Sequence, residues 1–150
     1  PDAGIRDSVA SRGLGDVYKR QVQREGEVVW SYHADDQSKE AGYIRHLIYG
    51  FDTSKYDDLM SYWDTTTEIC RGVSGLIRIG LVRCQEPNNR MFQTAAYDSK
   101  QSAEAGLVAM RSVMAGMDDF IINDPSIPGV AQFEKNTSVR AGEVVWTCVP

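Results

Sequence analysis

The stretch Leu76–Tyr97, LIRIGLVRCQEPNNRMFQTAAY, decides the fold because it reads as two β-strands joined by a turn. Side-chain character alternates along the first part of this stretch, as it does in a strand with one buried face. The alternating positions are Ile77, Ile79 and Leu81 on one face, and Arg78, Gly80 and Val82 on the other. Glu86–Asn89, EPNN, is a turn sequence, and Met91–Tyr97 resumes with strand-forming residues. The stretch therefore predicts a β-hairpin.

An amphipathic helix is predicted immediately before this hairpin. Asp52–Ser54 supplies side-chain oxygens for its first turn, and Asp57 follows Ser54 at the spacing of a capping box. Residues of one helix face then recur at steps of three and four: Tyr56, Leu59, Met60, Trp63, Thr67 and Cys70. Gly72 and Gly75 are suitable stops, because glycine adopts the left-handed conformation of a helix end at low cost.

A second amphipathic helix is predicted after the hairpin. Asp98 and Ser99 carry oxygens that can cap its first turn. Its apolar stripe is regular over five steps: Ala103, Leu107, Met110, Met114, Met117 and Ile121. A stripe of this kind predicts a helix that buries one face.

Two outer strands complete the predicted order. Arg45–Asp52 is a short apolar and aromatic run, and Glu143–Val149 is a closing strand that follows a long loop at Asn123–Ala141. The resulting order, β-α-β-β-α-β, predicts an α+β fold of the ferredoxin-like kind, with an antiparallel sheet and both helices on one face. The opposite face, which carries Gly80 and Val82, also needs cover, and a second sheet would provide it.

A heptapeptide occurs twice in the chain. Arg24–Trp30, REGEVVW, recurs with one change as Arg140–Trp146, RAGEVVW, a spacing that suits a duplicated domain with a linker. Because the second copy overlaps the predicted closing strand, residues 22–31 are predicted to be the closing strand of a preceding domain copy and to pair with an available sheet edge. Residues 32–45 are polar and predict a linker, so residues 46–150 are predicted to form the α+β domain.

The first 21 residues do not fit the domain pattern. Ser11–Gln21, SRGLGDVYKRQ, resembles a translated sequencing adapter, and Gly4–Asp7 resembles the end of a neighbouring primer. Residues 4–21 together match such an adapter with its index. We therefore interpret residues 1–21 as a non-native leader and exclude them from the reasoning about the fold.

The composition excludes several classes of protein. Hydrophobic residues make up 42% of the chain and the net charge is −5, which favours a folded domain and disfavours nucleic-acid binding. No apolar run reaches the roughly 18 residues of a membrane helix. Three cysteines without paired spacing predict reduced thiols in a cytoplasmic protein and no metal site.

Several short motifs resemble the antibiotic biosynthesis monooxygenase family. They are Gly75-Leu76 after the first helix, Arg83 near the end of the next strand, Tyr97–Ser99 before an alanine-rich helix, and Gly142–Trp146 in the closing strand. The resemblance covers roughly residues 46–149. It implies a dimeric α/β-barrel, formed either by a homodimer or by a tandem-domain pseudo-dimer.

The resemblance also implies an activity. Some family members oxidise aromatic substrates without metal or flavin, so we expect a small oxygenase that needs no cofactor and acts on a small aromatic or enolisable compound. The alternative is a non-catalytic module of the same fold that binds a small ligand or serves assembly. Haem degradation is disfavoured, because relatives with that activity carry Trp and His where this chain has Tyr97 and Leu107, and His46 lies on a different element.

Two residues are candidate catalytic groups. The phenol of Tyr97, at a strand end beside a helix N-terminus, could orient a phenolic substrate or relay a proton. His46 could act as a base near neutral pH. The simpler interpretations are a half-buried aromatic residue for Tyr97 and an ordinary strand residue for His46.

Four further residues are candidates for substrate binding: Trp63, Arg83, Met110 and Met114. The tryptophan and the two methionines could form the walls of an adaptable pocket, and Arg83 could hold an anionic substrate. The competing interpretation makes the first three core residues and Arg83 a member of an ion pair at an edge or interface.

Overall fold

The computed structural model describes residues 25–36, 38–122 and 138–145, without the side chains of residues 138–140. The predicted leader and the last residues of the closing strand lie outside this part of the chain. The strands are β1 (Gly26–His33), β2 (Tyr43–Phe51), β3 (Leu76–Cys84), β4 (Arg90–Tyr97), β5 (Ile121–Ile122) and β6 (Ser138–Glu143). The α-helices are α1 (Tyr56–Thr65), α2 (Thr67–Arg71), α3 (Lys100–Ala105) and α4 (Leu107–Ala115).

The strands form one antiparallel sheet in the order β1-β3-β4-β2, and β5 and β6 pair with different parts of the free side of β2. A hydrogen bond of 2.7 Å from the Tyr62 hydroxyl in α1 to the Val113 carbonyl in α4 joins the two helical segments on the same side of the sheet. The predicted α+β, ferredoxin-like arrangement is therefore confirmed. No helix within the described ranges is long and apolar enough to cross a membrane.

The first helix begins and ends close to the predicted positions. Asp52 accepts a hydrogen bond from the Ser54 backbone N–H, 2.9 Å away, and so caps a 3₁₀ turn, Thr53–Lys55, that leads into α1. Thr66 separates α1 from α2, and both its N–H and its hydroxyl donate to the Trp63 carbonyl. These contacts three residues apart tighten the helix locally. Gly75 has a φ of 76°, the left-handed conformation expected at this turn.

The second helix is shorter than its apolar stripe predicts. It runs through α3 and α4, with only Gly106 between them, and ends at Ala115. Ser99 caps it, since its hydroxyl accepts from the Ser102 N–H at 3.1 Å. Ile121 was predicted to be the last residue of the stripe. Ile121 lies instead in β5 and pairs with Phe51 of β2. The turn that leads to β5 begins at Gly116, which packs closely against the Tyr62 ring.

The closing strand was predicted to start at Glu143 but ends there. β6 begins at Ser138, opposite Ile48, and continues to Glu143, opposite Tyr43. The predicted loop therefore ends earlier than residue 141, and its residues 123–137 lie outside the described part. Few residues of β6 are large and apolar, because an edge strand is held mainly by backbone hydrogen bonds to β2.

β1 adds a strand to the edge of the sheet formed by β3. Gly26 lies opposite Cys84 and His33 lies opposite Arg78, with a register shift between Val28 and Trp30. Gly26–Trp30 of the first copy of the heptapeptide therefore lies along a sheet edge, and its origin in a preceding domain copy stays a prediction. The strand continues to His33 and β2 begins at Tyr43, so the polar connection between them is shorter than the predicted linker.

Candidate functional site

A cavity of about 50 Å³ lies between helix α4 and strands β2 and β4, on the helix-covered face of the sheet. Its polar lining residues are Arg45, His46, Gln93 and Tyr97. Its apolar lining residues are Leu47, Ala95, Leu107, Met110 and Met114. Two of the predicted pocket residues, the methionines of α4, therefore lie beside the predicted catalytic tyrosine.

The cavity is centred on a small residue in β4. Ala95 lies between Gln93 and Tyr97 on the same face of the strand, because side chains two positions apart point the same way. Across the sheet, Ala95 is opposite Arg45 on β2 and Ile79 on β3. The methyl group of Ala95 leaves open the space that a larger side chain would fill.

Tyr97 is the most deeply buried polar group of the cavity, with 1% of its surface exposed. Burial raises the pKa of its phenol above the ordinary value, and the nearby positive charge of Arg45 acts in the opposite direction. Tyr97 is therefore protonated at neutral pH and is able to donate a hydrogen bond to a ligand. Arg45 is half-buried, so its charge is only partly screened by solvent.

His46 borders the cavity but does not join Tyr97 as a catalytic pair. Its neighbours in β2, Arg45 and Leu47, point toward the helices, so alternation places the His46 ring on the opposite face. There its Nδ1 lies 2.8 Å from the Thr94 hydroxyl. Partial desolvation lowers the pKa of the imidazole, which favours the neutral form near neutral pH.

Trp63 and Arg83 are not among the residues that line the cavity. Trp63 is fully buried in the core and packs against Trp30 of β1, with ring centroids 5.2 Å apart. The guanidinium of Arg83 lies 4.3 Å from the centroid of the Tyr56 ring, and its Nε donates to the Asn88 carbonyl at 3.2 Å. The Arg83 guanidinium is therefore held by a cation–π contact with Tyr56 and by a hydrogen bond to the hairpin turn, away from the cavity.

Five residues of the cavity lining are not among the candidates that the sequence suggests: Arg45, Leu47, Gln93, Ala95 and Leu107. The alternation of side chains along β4 could have identified Gln93, because Gln93 shares the core-facing side of the strand with Met91, Ala95 and Tyr97. A polar side chain at a position that the pattern assigns to the core is informative, because such residues are rarely buried without a partner or a role.

A second hollow, larger and shallower, lies on the opposite face of the sheet beside β6. Its volume is about 380 Å³, and it is bordered by Ile44, His46 and residues 141–145. This face also carries the half-buried side chains of Ile48, Val82 and Phe92, which no helix of the described chain covers. Within the described ranges, no group of three His, Cys, Asp or Glu side chains is placed to bind a metal ion.

Comparison with known proteins gives a match in structure and none in sequence. No protein-family model matches the chain, and no curated protein matches it. Similar solved structures include a dimeric ferredoxin-like protein from an uncultured marine organism, with a TM-score of 0.57 and 15% identity over 74% of this chain and 94% of that one.

Two longer proteins with solved structures match nearly the whole chain. An anthrone oxidase-like protein has a TM-score of 0.61 and 11% identity over 93% of this chain and 67% of its own. A candidate monooxygenase from Lactobacillus acidophilus has a TM-score of 0.54 and 10% identity, over 95% of this chain and 61% of its own. At these identities the shared feature is the fold: this chain has the ferredoxin-like α+β fold of proteins that include dimeric and monooxygenase-like members.

Proposed function

We propose that this protein is a small oxygenase that needs no cofactor and oxidises a small aromatic or enolisable compound in the cavity beside Tyr97. The observation that carries the proposal is the arrangement of a protonated phenol and a guanidinium in an otherwise mostly apolar cavity. Tyr97 and Arg45 could together stabilise negative charge on a ligand oxygen, because such groups act strongly where water is scarce.

This arrangement suits a substrate that reacts as its enolate or phenolate. The anion would place its oxygen near Arg45 and the Tyr97 hydroxyl, and its electron-rich carbon would react with dioxygen. In the simplest balanced reaction, a methylene group and O₂ give a carbonyl group and water, so one oxygen atom enters the product. The protein would supply position and charge stabilisation, and the substrate would supply the electrons.

The size of the cavity restricts the ligand. Its volume of about 50 Å³ is near a third of the roughly 150 Å³ of an engineered apolar cavity that admits benzene. An aromatic ring would therefore enter only if Met110 and Met114 change rotamer, which unbranched methionine side chains do readily. We expect single-ring or similarly small compounds.

The structural neighbours support the proposal at the level of fold. The matching proteins include one described as anthrone oxidase-like and one described as a candidate monooxygenase. A dimeric neighbour, together with the uncovered face at Ile48, Val82 and Phe92, supports homodimerisation through that face. The cytoplasmic location stays a prediction from the spacing of the three cysteines in the sequence.

A non-catalytic ligand-binding or assembly module is the second candidate. The small volume of the cavity favours the assembly form of this module, because sites for small molecules usually enclose several hundred cubic ångströms. The position of His46 also favours it, since the predicted base bonds to Thr94 on the far face instead of entering the cavity.

Oxygen uptake by the full chain with a panel of phenols and enolisable ketones separates the two candidates. Tyr97→Phe removes one hydroxyl with little change of volume, and we expect turnover to fall by roughly 10²- to 10⁴-fold. Tyr56→Phe, whose ring contacts Arg83 outside the cavity, is the matched control and should leave turnover unchanged. Absence of oxygen uptake across the panel would favour the binding module.

A further inference from the structure

Gln93 is a buried amide with an unused acceptor. Only 7% of its surface is exposed, and its Oε1 has no hydrogen-bond partner in the part of the chain that the structure describes. Its neighbours across the sheet on the same face are Leu47 on β2 and Leu81 on β3, neither of which can donate a side-chain hydrogen bond. Native proteins leave few buried polar atoms in this state, so an unpaired one calls for a physical reason.

The location of Gln93 supplies that reason. It lines the same cavity as Tyr97 and lies two residues before it in β4, with only the methyl group of Ala95 between them. The unpaired carbonyl therefore belongs to a residue that borders the space next to the phenol and Arg45. A cavity of about 50 Å³ has room for a polar group from outside.

We propose that Gln93 is a ligand-recognition residue, which selects compounds that carry a hydrogen-bond donor in addition to the oxygen held by Tyr97 and Arg45. This inference rests on the proposed function for the location of the ligand and on nothing in the oxidation step. The ligand would be a small ring with one ionisable oxygen and a separate neutral hydroxyl or N–H. The donor would complete the hydrogen bonding of Gln93 Oε1, which no group of the described residues completes.

Discrimination of this kind follows from the loss of a buried hydrogen bond. A ligand with the hydroxyl gives Gln93 Oε1 a hydrogen bond, whereas an analogue that lacks the donor leaves this buried oxygen unpaired, as it is without ligand. Because Gln93 Oε1 has no partner among the described residues, replacing the amide by an apolar group of similar length should not weaken the fold. A purely structural glutamine would behave in the opposite way.

Calorimetric titration of the full chain with two probes, resorcinol and 3-methoxyphenol, tests the proposal. The two compounds differ in that a methyl group blocks one hydroxyl donor. We expect resorcinol to bind the wild type about 10-fold more tightly, the ratio that one net hydrogen bond gives. In Gln93→Met this ratio should fall to about one, with the midpoint of urea unfolding unchanged or raised. Gln101→Met, at an exposed position of α3, should keep the wild-type ratio.

Three results would overturn the proposal: equal affinities of the two probes for the wild type, failure of both to bind, or a preference that survives in Gln93→Met. The titrations are made under argon, so their result does not depend on oxidation. Selectivity that depends on Gln93, in a protein that consumes no oxygen, would reject the oxygenase proposal and support the recognition role. Oxygen uptake without such selectivity would do the reverse.

Discussion

Trp30 of β1 packs against Trp63 of α1, with ring centroids 5.2 Å apart and ring planes inclined at 44°. Trp30 is half-buried and Trp63 is fully buried, so the edge strand reaches the core through this pair. Tilted aromatic pairs at this distance are favourable beyond the area they bury. The contact makes β1 an integrated part of the described fold.

Replacing Trp30 by Ala should destabilise the protein by about 2 kcal/mol, because a half-buried indole loses its packing against Trp63. The matched control is Glu27→Ala in the same strand, whose exposed side chain should contribute less than about 0.5 kcal/mol. Urea unfolding followed by far-ultraviolet circular dichroism measures both changes. Equal effects of the two variants would mean that the aromatic pair does not hold β1 in place.

Tyr49→Phe should leave stability unchanged or raise it. The Tyr49 ring is fully buried, and its hydroxyl, which lies next to the Trp63 indole, makes no hydrogen bond of good geometry within the described part of the chain. Removing a buried polar atom that lacks a well-formed hydrogen bond removes its desolvation cost, while the ring keeps its packing. Thermal or urea unfolding at neutral pH measures the difference. A loss above about 1 kcal/mol would indicate a hydrogen bond that this geometry does not provide.

The same variant should weaken the response of stability to alkali. Burial raises the pKa of Tyr49, so above pH ~10 the unfolded chain loses this proton before the folded chain does. The contribution of Tyr49 to the free energy of unfolding is therefore fully present below the pKa of this tyrosine in the unfolded chain, and it is lost as the pH rises above that value. Unfolding midpoints between about pH 8 and pH 11 should fall less steeply for Tyr49→Phe than for the wild type. Parallel curves would contradict the assignment.

Ala95→Leu should fill the cavity and prevent ligand binding while the chain stays folded. The added methylene groups enter the space beside Gln93 and Tyr97, and overpacking of this kind costs roughly 1–3 kcal/mol. Ala105→Leu, on the exposed side of α3, is the control for added apolar volume. The phenol affinities of both variants are measured by calorimetry. Unaltered affinity in Ala95→Leu would place the ligand elsewhere.

Val82→Lys should convert a dimer to a monomer if the face opposite the helices is the interface. A buried lysine without a partner is strongly unfavourable, whereas in a monomer the same residue points into water. Val108→Lys on α4 replaces a valine that is 76% exposed on the helical side and should not change the mass. Analytical ultracentrifugation gives the mass of each variant. A monomeric wild type, or a dimeric Val82→Lys, would reject this interface.

The order of the elements could be predicted because the local patterns agree with the tertiary structure. Alternation in β3 and β4 and the helical stripe through Leu59 and Trp63 each follow from a single buried face. The ends of elements could not be predicted where partners decide them. Ile121 fits the stripe of the second helix, yet backbone pairing with Phe51 places it in a strand.

The site was predictable only in part. Tyr97 could be proposed from its place at a strand end before a helix, and Met110 and Met114 from their place on the apolar stripe of a helix. All three residues line one cavity, and their functional roles stay predictions. Arg45 and Gln93 were not predicted because each is an ordinary polar residue within a strand. They line the same cavity only because Arg45 lies opposite Ala95 across the sheet, and Gln93 lies two positions before Ala95 on β4. Trp63 packs against Trp30, and Arg83 packs against the Tyr56 ring, so neither lines the cavity. The spacing of residues along the sequence does not specify such tertiary partners.

The pairing of β1 with β3 also bears on how the protein behaves when it is stressed. Without β1, the backbone donors and acceptors along one side of Leu76–Cys84 would lie bare at the sheet edge, with an aliphatic sequence that readily accepts further strands. Such an edge is a template for intermolecular strand addition. By pairing with it, Gly26–His33 covers this aliphatic strand, and the edge that is left carries exposed Glu27 and a register shift between Val28 and Trp30, which make it a poorer template. Local detachment of β1 would therefore be the first step towards aggregation.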